Sequence, residues 1–90
     1  MFNHVSVGVA DLGRAGAFDD ACLGALGYRR TFEESFGIAW GVKWPEFWAT
    51  LPFDQKPASA GNGTHIAIIA ADRAAVDAFH AAALAQGGGD

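Results

Sequence analysis

Two histidines occupy equivalent places in this chain. His4 opens the run "HVSVGVAD" and His65 opens "HIAIIAAD", so each imidazole precedes a short apolar segment that closes on an alanine and an aspartate. A neutral imidazole offers a nitrogen lone pair to a divalent metal, and two of them on neighbouring strands would supply part of a small metal site. The same pair could instead be hydrogen-bonded polar residues of a metal-free pocket. Other reactive side chains offer less. Cys22 has no second cysteine for a disulfide or a thiolate cluster and reads as a small apolar side chain on a helix face. Glu33 and Glu34 are adjacent on a strand, which sends their carboxylates to opposite faces and leaves them as surface charge. Ser6, Ser35 and Ser59 lack the strand-turn-helix setting of a nucleophile elbow. Gly87 to Gly89 have no Lys-Ser/Thr after them, so they end a helix rather than hold a phosphate. His80 reads as a solvated helix residue.

The elements that must position these groups follow from periodicity. Val5, Val7 and Val9 alternate with His4, Ser6 and Gly8, which predicts a half-buried strand over Phe2 to Val9. Asp11 can cap a helix from Leu12 to Leu26, with Ala15, Phe18, Cys22 and Ala25 at helical spacing and Gly27 as terminator. Strands are expected at Tyr28 to Glu33, Phe36 to Trp44 and Phe47 to Leu51, the last two punctuated by Pro45 and Pro52. In the third strand Phe36, Ile38, Trp40, Val42 and Trp44 make one face bulky, whereas Gly37, Ala39 and Gly41 leave the other nearly bare. Residues 54–63 carry Pro57, Ser59, Gly61, Asn62 and Gly63 and read as a loop. Thr64 to Ala70 resumes strand character, and Asp72 caps a second helix running to Gln86 with Val76, Phe79 and Ala83 on its buried face.

A shift of 61 positions superimposes His4 on His65, Asp11 on Asp72, Phe18 on Phe79, Leu23 on Leu84 and Gly27 on Gly88, with eight identities among the 27 pairs that begin at Asn3. Strand, cap, helix-face Phe and terminal Gly coincide in register, which is the mark of a duplication. The units are then residues 1–53, a complete βαβββ module; 54–63, a connecting loop; and 64–90, the strand and helix that begin a second module. Three further strands matching Tyr28 to Leu51 are expected to follow, so the chain reads as truncated.

With "HVSVGVAD" and "THIAIIAAD" each followed by a helix, and "PEFW" as a lesser sign, the chain resembles the vicinal oxygen chelate superfamily of glyoxalases, bleomycin-resistance proteins, fosfomycin-resistance enzymes and extradiol dioxygenases. The resemblance implies an α+β fold of paired βαβββ modules whose sheets form a cup. It further implies a divalent metal ion, zinc, iron, nickel or manganese, held by a His from the first strand of each module. His4 and His65 match those positions. The third ligand of that superfamily, a carboxylate on the last strand of the second module, would lie beyond residue 90. A fourth from the end of the first module finds Phe47, Trp48, Ala49, Thr50 and Leu51, where only the neighbouring Glu46 offers oxygen. Ser6, Trp48 and Thr50 are the expected substrate contacts.

Parity places Ser6 and Gly8 beside His4, and Ala67 and Ile69 beside His65, while Val5, Val7, Val9, Ile66 and Ile68 should meet the helices. The histidine face is thus paved with small residues. These leave room for a ligand or permit close packing between sheets, and the pocket is the favoured reading. Trp40, Trp44 and Trp48 could line an aromatic pocket, with core packing preferred.

The expected function is a glyoxalase-like, metal-dependent enzyme acting on a small molecule with neighbouring oxygens, by lyase, isomerase, transferase or dioxygenase chemistry. The alternative is a non-catalytic binding protein of the bleomycin-resistance type. A homodimer is implied by the resemblance. Six basic against ten acidic residues, a formal charge of −4, argue against nucleic acid. The longest apolar run, Ile66 to Ala71, is far short of a membrane span. With no leader-like segment ahead of the first strand, a cytoplasmic location is expected. Ninety residues should bury only roughly 60 to 65 per cent of their unfolded surface, so the fold is tight.

Overall fold

The computed structural model describes residues 3–59, 61 and 63–89. Phe2, the expected start of the first strand, and Asn62 of the expected loop lie outside them. The elements in chain order are β1 (Val5–Gly8), α1 (Leu12–Ala25), β2 (Arg29–Glu34), β3 (Gly37–Gly41), β4 (Phe47–Thr50) and α2 (Arg73–Ala85). They form an α+β fold with one mixed sheet of order β1-β4-β3-β2, in which β1 and β4 are parallel and the other pairs antiparallel. This is the βαβββ module expected of the first 53 residues.

The helices start and stop through local chemistry. Asp11 accepts a hydrogen bond from the Arg14 backbone N–H at 3.0 Å, and Asp72 accepts one from Ala75 at 2.8 Å, so each carboxylate satisfies an otherwise orphaned donor. At the far ends Tyr28 and Gly27 donate to the carbonyls of Leu23 and Gly24, and Gly88 and Gly87 donate to those of Ala83 and Leu84. Gly27 and Gly87 sit at φ +91° and +90°, the left-handed geometry such caps require. The caps therefore match at a spacing of 61 at the start and 60 at the end, because α1 has 14 residues and α2 has 13. Gly87, not Gly88, is the structural counterpart of Gly27.

The strands differ from expectation where a ladder partner decides the outcome. β3 stops at Gly41 rather than reaching Trp44, because the chain turns there: the Glu46 N–H donates back to the Trp40 carbonyl at 3.0 Å, and the Trp44 carbonyl packs against Gly41 where a side chain would sit. Thr64 to Ala70 is not a strand. Ile66, Ile68 and Ala70 line a small cavity with Leu26, Val76 and Phe79, but Ile66 and Ile68 also line a cavity beside His4 together with Ala67 and Ile69, so the alternation is only partly expressed. The segment's backbone finds no ladder, and the one described tie is the Tyr28 hydroxyl donating to the Ile69 carbonyl at 3.3 Å.

In β2 the pairing steps from Arg30–Trp40 to Phe32–Ala39, leaving Thr31 as an extra residue. This bulge turns the strand over, so Arg30 faces the helices while Phe32 faces the opposite side. The core lies between sheet and helices, with Leu23, Ile38, Trp40 and Ala49 buried and Val9, Leu12, Tyr28, Phe47 and Phe79 packed around them. Arg30 fastens it: its Nε and Nη2 each donate to Asp20 at 2.9 Å, Nη1 donates to Glu33, and the Trp40 indole N–H donates to Asp20 as well. Hydrogen bonding from Arg30 first, and then from Trp40, holds the Asp20 carboxyl below the usual range.

Candidate functional site

The face of the sheet turned away from the helices carries the residues singled out for chemistry. Ser6 lies opposite Trp48 across the β1–β4 pair, and Gly8 lies opposite Thr50. Trp48 is in turn opposite Ala39, and Ala39 is opposite Phe32. His4 reaches the same group, its ring meeting Trp48 edge-on with centroids 6.4 Å apart. Thus His4, Ser6, Trp48 and Thr50 share one face.

His4 also has a partner that bears on its chemistry. Its Nδ1 lies 3.1 Å from Asn3 Oδ1. With the amide oxygen accepting, the proton sits on Nδ1 and the Nε2 lone pair is left for a ligand, which is how metal-binding histidines are commonly oriented. Thr50 directs its hydroxyl at the Val7 carbonyl, 3.4 Å away, while Ser6 is exposed.

The small-residue floor is not bare. Ala39 is fully buried, and a Cβ on Gly37 would meet Thr50 Cγ2 at 3.0 Å and Trp48 Cε3 at 3.5 Å. The room left by Gly37 and Ala39 is taken up by aromatic side chains of the same sheet, which is the close-packing alternative rather than the open pocket. Phe32 and Trp48 stand 4.9 Å apart, and Phe36 lies nearly parallel to Trp48 at 6.4 Å with 54% of its surface exposed. An aromatic layer, not glycine, is what this face presents.

His4 opens onto a cavity of about 620 Å³ shared with Tyr28, Trp40, Glu46 and the segment Ile66 to Ile69. Glu46 is thereby brought to the same space as His4. His65 does not line that cavity and makes no hydrogen bond, ion pair or ring contact among the described residues. Nor do any three His, Cys, Asp or Glu side chains among them converge as a metal set. The described residues therefore fit a metal in part: the Asn3 contact suits a His4 with Nε2 open, and two imidazoles without a converging carboxylate lack the charge and ligand number that hard divalent ions need.

The remaining candidates fall outside this face. Trp40 is a core residue at 1% exposure, while Trp44 is half exposed in the turn after β3. Cys22 is buried, and burial, with Asp19 nearby, pushes its thiol up, as befits an inert apolar position. Among the described residues no helix is long and apolar enough to cross a membrane. Asn3, Phe32 and Phe36 were not legible as site residues. Asn3 could have been found as the polar neighbour of His4, but Phe32 joins the face only through the bulge at Thr31.

No protein-family model and no curated protein matches the sequence. Among solved structures, the chain is similar to a glyoxalase/bleomycin resistance protein from Albidiferax ferrireducens T118. The two are 38% identical with a TM-score of 0.89, over 97% of this chain and 70% of that one.

Proposed function

This chain belongs to the glyoxalase/bleomycin resistance protein family, and we propose that it acts there as a metal-dependent enzyme on a small molecule presenting two neighbouring oxygens. The observation that carries this reading is the Asn3–His4 contact, which prepares an imidazole for ligation on the face that also holds Ser6, Trp48 and Thr50. His4 and His65 would hold zinc, iron, nickel or manganese, all of which accept imidazole, with a carboxylate from outside the described residues completing the set. Such an ion, when bound, supplies Lewis-acid polarisation of chelated oxygens, which serves lyase, isomerase, transferase and dioxygenase chemistry alike.

The chain's own residues have separate tasks. Asn3 keeps the proton on His4 Nδ1. Phe32 and Trp48 cover Ala39, keep water off the sheet and offer a flat apolar surface to the substrate's carbon skeleton. The exposed Ser6 hydroxyl can donate to a substrate oxygen, whereas Thr50, already donating to Val7, can only accept. A homodimer is part of the proposal, since the outer edge of β1 has no ladder partner among the described residues.

A second reading, sequestration of a small molecule without chemistry, is favoured by the Phe32–Trp48–Phe36 layer beside His4. Metal content separates the two. Bound metal in the purified protein that falls on His4→Ala and again on His65→Ala supports the enzyme; equal content in all three proteins removes the site and leaves the binding protein.

A further inference from the structure

Beside the cavity that His4 lines, the helix side of the sheet holds a second one that His4 does not reach. Its volume is about 520 Å³, within the roughly 300 to 1,000 Å³ of small-molecule sites. Val7, Val9 and Phe47 contribute from the sheet, Ala15 and Phe18 from α1, and Ser59 and Gln86 close it from the loop and the end of α2. Into this largely apolar space α1 brings Asp19. That carboxylate is half-buried and takes part in no hydrogen bond or ion pair among the described residues, although its neighbour Asp20 is fully engaged by Arg30 and Trp40.

We propose that this cavity is a second small-molecule site, one that takes an organic ammonium ion with an apolar body, the ammonium against Asp19 and the body against Phe18 and Val9. The charges support the sign. Asp11 and Asp19, two carboxylates, line the cavity against the single guanidinium of Arg14, which does not pair with Asp19, and neither Ala58 and Ser59 nor Gln86 and Gly87 bring a charge, so the lining is net negative. The Gln86 side chain offers an amide oxygen as a second acceptor. Burial, and then repulsion from Asp20, push the Asp19 carboxyl up to about 6, and a cation seated beside it relieves both costs. Proximity of the Cys22 thiol adds no charge at neutral pH.

The test is titration of the ¹⁵N-labelled protein with 2-phenylethylammonium, followed by amide shifts, with 2-phenylethanol and phenylacetate as the neutral and anionic comparators. Saturable shifts at Val9, Ala15, Phe18 and Gln86 are expected for the ammonium, with binding about fivefold to tenfold weaker for the alcohol and for Asp19→Asn. Binding should also weaken as pH falls below about 6. Asp19→Asn is nearly isosteric, and its spectrum without ligand shows whether the fold is kept; Asp19→Glu, which keeps the charge, should retain binding. Equal affinity for ammonium and alcohol, stronger binding of phenylacetate, or shifts confined to His4 and Trp48 would each overturn the proposal.

Discussion

The two copies of the repeat agree in their helices and part company in their strands. α1 and α2 begin on an aspartate that caps the third residue beyond it and end on a left-handed glycine with the same pair of backbone hydrogen bonds. Ahead of them, Val5–Gly8 is locked to β4 by a parallel ladder, whereas Thr64 to Ala70 has comparable alternation and no ladder. A helix satisfies its own backbone within a few residues. A strand depends on another strand. Duplicated sequence therefore restores the helix and its caps directly, and restores the strand only where a neighbouring edge is available.

This contrast can be broken most forcefully at the cores of the two copies. Trp40→Ala removes a fully buried ring and the donor to Asp20, and should cost about 3 to 5 kcal/mol in urea unfolding. Ile68→Ala, at a position 36% exposed in the unpaired segment, should cost less than about 1 kcal/mol. Similar costs would mean that the second copy is as firmly built as the first. The caps sharpen the other half of the contrast. Asp11→Ala and Asp72→Ala should each cost about 1 kcal/mol with a matching loss of helical circular dichroism, since the two hydrogen bonds are alike. A loss for Asp11 alone would show that the second cap does not operate.

The smallest expected effect sits on α1 and has a definite sign. Folding raises the Asp19 carboxyl from its ordinary value of 3.8 to about 6, so the folded state disfavours the ionised form. The penalty is full above pH 6 and is relieved as pH falls from about 6 towards 4. Asp19→Asn should raise Tm by roughly 3 °C at pH 7.5, with the difference closing by about pH 4. A gain that persists at pH 4 would point to packing rather than charge.

Much of the fold was legible in the residues, because capping aspartates, terminal glycines and period-2 valines act over short distances. The four-stranded module follows from them, and so does the common face of His4, Ser6 and Gly8, whereas Trp48 and Thr50 join that face only through the β1–β4 pairing. Long-range facts were not legible. Alternation in Arg30 and Phe32 places both on one face, and only the extra residue at Thr31 separates them into a helix clamp and an aromatic layer. The pattern of Gly37, Ala39 and Gly41 announces space without saying what fills it, and Trp48 fills part of it from the next strand. His65 was placed by symmetry, and the pairing that would carry that symmetry into space is absent among the described residues.

The account rests most heavily on His4 presenting a free Nε2 lone pair as one ligand of a pair. Long-range ¹H–¹⁵N spectra of the three histidines, recorded at pH 7.5 with and without zinc, measure this directly. The Nδ1-protonated tautomer is predicted for His4, with zinc shifting its Nε2 and a ring nitrogen of His65 together at a common midpoint while leaving His80 in place. A His4 protonated on Nε2, or zinc shifts at His80 with none at His4, would contradict it.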